Sequence, residues 1–131
     1  MSTPKQLVEA FINDYFAWNG RAYALEELET DDSGDAMDEA ERTYAESIIK
    51  VYCRPGFSGE PISYGSDACH EPGKEIIVSE EIMESRTIIK TKHTGDFDFV
   101  SDYEYLFTRT DGRWFLESVN YIDADGAYPS L

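Results

Sequence analysis

The sequence predicts a single α+β domain: N-terminal helices packed on an antiparallel β-sheet. Three observations carry this. Apolar residues recur at helical spacing up to about residue 54, and the period drops to about two beyond residue 57. The punctuation of the second half is Gly, Pro and Asp-Gly, the residues of tight turns. The chain has 131 residues, enough for one hydrophobic core and too few for two. The expected domain spans residues 1–131, with helix confined to about 4–54 and sheet to about 75–124.

The first helix begins at Thr3, with Pro4 at the first helical position and Gln6 completing a capping box. Leu7, Val8, Phe11, Ile12, Tyr15 and Phe16 form its apolar stripe. Gly20 is expected to interrupt or end this helix, with Ala22 to Leu28 continuing or restarting it. Residues 26–46 contain ten acids and one base, Arg42, around Ser33-Gly34, and read as an exposed loop between helices. Asp38 and Glu41 repeat the capping pattern, and Ala40, Tyr44, Ala45, Ile48, Ile49 and Tyr52 give a second stripe that Arg54-Pro55-Gly56 stops.

The β-branched stretch of residues 75–93 is too long for one flat strand and needs a bend or bulge near Glu84-Ser85; residues 79–85 also admit a helix. Phe97, Phe99, Tyr103, Tyr105 and Phe107 alternate with mostly polar residues, the pattern of a strand with an aromatic core face. Asp111-Gly112 suits a hairpin with positive φ at both turn positions. The last strand, from Trp114 to Ile122, is expected to put Trp114, Leu116 and Ile122 on one face and Phe115, Val119 and Tyr121 on the other. Large apolar groups on both faces require cover on both, either a protein partner or the sheet's own edges and tail.

Charge excludes one class of function. Lys and Arg number 11 and Asp and Glu 27, a net charge of −16, so the field repels nucleic acid and anionic membrane and favours a basic protein partner. The N-terminus lacks an apolar signal core, and no apolar run approaches the ~18 residues of a membrane span, so a cytoplasmic location is expected. Cys53, Cys69, His70 and His93 lack the spacing of a zinc site, and neither metal nor cofactor is expected. Asp123-Ala124-Asp125-Gly126 begins like a calcium loop but has no glutamate at the twelfth position, so it reads as a turn. Arg86, Lys90 and Lys92 share a strand face and should pair with acids on a neighbouring strand.

Several blocks resemble a known family. They are Tyr64-Gly65-Ser66, His70-Glu71-Pro72 with Glu75 and Ile76, Lys92-His93-Thr94-Gly95, Asp102-Tyr103-Glu104-Tyr105, Gly112-Arg113-Trp114-Phe115-Leu116-Glu117-Ser118, and Tyr121-Ile122-Asp123-Ala124-Asp125-Gly126. In order over residues 44 to 126, they resemble bacterial immunity proteins of polymorphic toxin systems, built on the cone-shaped nuclear-transport-factor-two-like fold with a strongly bent antiparallel sheet. The resemblance implies a non-catalytic cytoplasmic protein that neutralises a cognate toxin by stoichiometric contact, its gene beside the toxin's, with a possible homodimer through the sheet's convex face. The charge map then assigns partner steering to Glu26, Glu27, Glu29, Asp31 and Asp32, and anchoring to Phe115 and Tyr121. The alternative is a small-molecule enzyme or binding protein of the ketosteroid-isomerase type, for which Tyr15, Tyr44, Tyr103, Tyr105 and Asp102 are the candidate pocket residues.

Overall fold

The computed structural model describes residues 2–28, 34–59, 61–62, 64–66, 68–95 and 98–131. It is an α+β domain in which two helical runs pack on a five-stranded antiparallel sheet of order β1-β2-β3-β4-β5. No helix among the described residues is long and apolar enough to cross a membrane.

Helix α1 spans Pro4–Leu28. Its capping box forms as expected, with the Thr3 amide donating to Gln6 Oε1 at 3.0 Å and the Gln6 amide to Thr3 Oγ1 at 3.2 Å. The helix does not break at Gly20, because α1 buries residues on both sides of it: Trp18 and Asn19 before, Ala22 after. Trp18 Nε1 donates to the Ala40 carbonyl at 3.0 Å, and the Asn19 amide group pairs with both backbone groups of Gly65. These tertiary contacts outweigh one glycine, whose cost in a helix is only ~1 kcal/mol. Phe16, expected in the stripe, is 42% exposed.

The acidic stretch is largely helix, not loop. Glu26 and Glu27 lie in α1, and α2 (Asp35–Tyr44) starts three residues before the expected cap, on Gly34 with φ 80°. A π-helical turn (Ala45–Ile49) and α3 (Lys50–Tyr52) continue the run. Ala36, Ala40, Tyr44, Ile48 and Tyr52, four residues apart, face the core.

The expected bend at Glu84-Ser85 is a full reversal. β1 (Glu75–Ile82) and β2 (Arg86–Thr94) form a hairpin closed by the Met83 amide on the Arg86 carbonyl at 2.8 Å, which rules out helix over 79–85. The bulge lies earlier, between Ile77 and Ser79. β3 (Val100–Thr110) begins after Phe99, which is 63% exposed and follows Asp98 at φ 56°; Phe97 lies outside the described residues. Asp111 and Gly112 take the expected positive φ, 53° and 78°, and lead into β4 (Arg113–Asp123). β5 (Gly126–Pro129) follows a turn in which Asp123 Oδ1 accepts from the amides of Asp125 and Gly126.

One register shift corrects the face assignment of β4. Leu106 pairs with Ser118 and Phe107 with Leu116, so Glu117 is an extra residue that inverts the alternation. Leu116, Val119 and Tyr121 consequently oppose the inward Phe107, Tyr105 and Tyr103, while Phe115 opposes Thr108. Phe115 and Tyr121 are thus on opposite faces, and so are Leu116 and Ile122. On the outward face Lys92 meets Asp102 at 2.8 Å, as expected, whereas among the described residues neither Arg86 nor Lys90 has a carboxylate at ion-pair distance.

Candidate functional site

Three regions hold the residues singled out by sequence. The first is a polar cluster within the aromatic core. The turn Glu71-Pro72-Gly73-Lys74, with the Lys74 and Glu75 amides both bonded to the Glu71 carbonyl at 3.1 Å, brings His70 and Glu75 together at the mouth of β1. His70 Nδ1 lies 2.5 Å from Glu75 Oε1, while Thr91 Oγ1 and the Tyr105 hydroxyl donate to Glu75 Oε2 at 2.7 and 2.5 Å. Tyr105 is also 3.0 Å from His70 Nδ1, and His93 Nδ1 lies 3.9 Å from the same carboxylate. The Glu75 side chain has no solvent exposure. Burial works to raise its pKa, but the His70 charge and the hydrogen bonds from His70, Thr91 and Tyr105 outweigh it, and the carboxyl sits below its ordinary range. Phe11, Tyr15 and Tyr103 pack their rings around His70 at centroid distances of 5.3, 4.8 and 4.5 Å.

Beside this cluster is a cavity of about 210 Å³ lined by Tyr15, Tyr44, Ile62, Cys69 and His70. Burial holds the Tyr15, Tyr44 and Tyr103 hydroxyls well above their ordinary range, so they stay protonated. Small-molecule pockets usually occupy ~300–1,000 Å³, and this one is smaller. Of the pocket candidates, Tyr15 and Tyr44 line this cavity, Tyr103 and Tyr105 pack against His70 behind it, and Asp102 is held by Lys92 on the outward face. Sequence reasoning missed Glu75. The available signal was an acid opening the apolar run Ile76-Ile77-Val78, in register with an inward histidine, His93.

The second region surrounds Phe115. Its half-buried ring carries two guanidinium groups, Arg54 at 5.0 Å and Arg113 at 4.8 Å from the centroid. It lines a cavity of about 510 Å³ with Ile49, Cys53 and Phe57, rimmed by Lys50, Arg54 and Arg113. Burial, with the nearby Glu117 charge, pushes the Cys53 thiol up to about 12, so it stays protonated at neutral pH. Cys53 therefore sits in one cavity and Cys69 in another. Among the described residues no group of three or more His, Cys, Asp or Glu could hold a metal ion. Tyr121 is far from an exposed anchor: it is half-buried and packs edge-on against Tyr103 at 5.9 Å.

The third region is the acidic end of the helical pair. Glu26 and Glu27 are exposed on α1; Glu29, Asp31 and Asp32 lie outside the described residues. Apolar side chains are interleaved with these acids: Leu25 is 42% exposed, Leu28 77%, and Met37, between Asp35 and Asp38, 41%. Sequence reasoning read charge there and missed the apolar component, since leucines on a helix are ordinarily taken as core.

No protein-family profile, characterised protein sequence or solved structure matches this chain.

Proposed function

We propose that this chain is an immunity protein, which binds a cognate bacterial polymorphic toxin one to one and neutralises it by contact, without a catalytic residue or cofactor. The fold we assign to it is the nuclear-transport-factor-two-like cone, an assignment supported by helices preceding an all-antiparallel sheet. The observation that carries the reading is the exposed Leu25, Leu28 and Met37 set among Glu26, Glu27, Asp35 and Asp38. Acids steer a basic partner, and apolar groups that lose water on contact hold it. We therefore favour an anchor beside the acids over Phe115 or Tyr121, whose surroundings are respectively basic and buried.

A second reading, a small-molecule enzyme, draws support from His70 held by Glu75 beside the cavity of Tyr15 and Tyr44. Against it stand the cavity's size and the complete enclosure of the Glu75 carboxylate, which no substrate can reach. Growth protection separates the two. In cells expressing the toxin domain encoded beside this gene, the chain should restore growth, and a folded His70→Gln variant should protect as well as the parent. Loss of protection by that variant, with toxin binding intact, would support the enzyme.

A further inference from the structure

We propose that the cavity between the π-helical turn and the start of β4 binds a small organic carboxylate with an apolar body, Ile49, Phe57 and Phe115 receiving the body and Lys50 and Arg113 the anion. At about 510 Å³ it lies within the range of small-molecule sites. Its charge is anomalous for this molecule. The chain has 11 basic residues against 27 acidic ones, yet among the described residues three basic ones and no acidic one line this cavity.

The three cations have different duties. Arg54 is committed, with Nε on Glu117 at 2.7 Å and a terminal nitrogen on Thr108 at 2.8 Å, and its guanidinium fixes one side of the Phe115 ring. Arg113 stacks on the same ring but spends only one long bond, 3.3 Å to the Val51 carbonyl. Its remaining donors form the planar fork that suits a carboxylate. Among the described residues neither Arg113 nor Lys50 has a carboxylate at ion-pair distance, and both are exposed at the rim. The helical wall is a π-turn, Ala45–Ile49, an irregularity that recurs at functional sites because the widened backbone opens a groove along the helix. Apolar floor and cationic rim, with the nearby Glu117 already held by Arg54 and Thr108, together select an amphipathic anion. The proposal does not rest on the toxin-binding reading, and its test uses the isolated chain.

The probe is 1-naphthaleneacetate, with 2-(1-naphthyl)ethanol as its neutral counterpart, followed by calorimetry and by amide chemical shifts. One equivalent of the acid should bind, about tenfold tighter than the alcohol, with shifts at residues 45–57 and 113–115. Lys50→Gln with Arg113→Gln should abolish that preference while both probes still bind; Phe115→Ala should weaken both. If the double variant does not fold, Lys50→Gln alone, at an exposed position, should still reduce the preference. The proposal is overturned by absence of saturable binding at millimolar acid, by equal affinity for acid and alcohol, by shifts confined to the Tyr15–His70 cavity, or by a folded variant that keeps the preference.

Discussion

Glu75 is the residue on which the core's polarity turns. It is enclosed, it is ionised, and its oxygens take contacts from His70, Thr91 and Tyr105. Glu75→Gln takes away the acceptor that these enclosed groups share, so it should destabilise the fold by ~1–3 kcal/mol in urea unfolding. Tyr105→Phe, which removes one donor, should cost ~1–3 kcal/mol. The pH dependence follows from the depressed carboxyl. A folded value below the ordinary 4.5 gives stability that is fully present above 4.5 and is lost as pH falls through the folded value. The gap between parent and Glu75→Gln should therefore be widest at neutral pH and narrow as pH falls below 4.5; a constant gap would show that packing, not charge, accounts for the loss. Burial is what made this cluster hard to read in sequence: a single acid among 27 carries no mark of enclosure until the Glu71–Lys74 turn and the facing strands are in place.

At the scale of elements, local chemistry was legible and long-range choices were not. Thr3-Pro4-Lys5-Gln6 and Asp111-Gly112 encode their structures within four residues, and both formed as read. The continuity of α1 through Gly20 and the bulge at Glu117 depend on partners dozens of residues away or on a neighbouring strand. Gly20 offers a direct check. A methyl group there meets nothing within 4 Å, and the position is exposed helix, so Gly20→Ala should stabilise the protein by ~0.5–1 kcal/mol. Gly112 is the converse case: at φ 78° an alanine is strained, and Gly112→Ala should lose ~1–2 kcal/mol in the same assay. Opposite signs for the two glycines are expected; a destabilising Gly20→Ala would mean that α1 is broken at that point.

For the whole molecule, charge and exposed apolar surface divide the protein into regions of different surface chemistry. The end of the helical pair is acidic and carries Leu25, Leu28 and Met37, whereas the Phe115 cavity is locally basic inside a protein of net charge −16. Composition foretold the first as charge alone and gave no hint of the second, because a sum over residues erases local sign. The most direct test of the proposed toxin binding is surface plasmon resonance of this chain against any toxin domain found encoded beside its gene, at two salt concentrations. Converting Glu26, Glu27, Glu29, Asp31 and Asp32 to their amides should slow association by about tenfold at low salt and flatten its salt dependence. Leu25→Ala with Leu28→Ala should speed dissociation by about tenfold while leaving association unchanged. Absence of a one-to-one complex with the parent protein, or folded variants whose rates match the parent's at both salt concentrations, would contradict it.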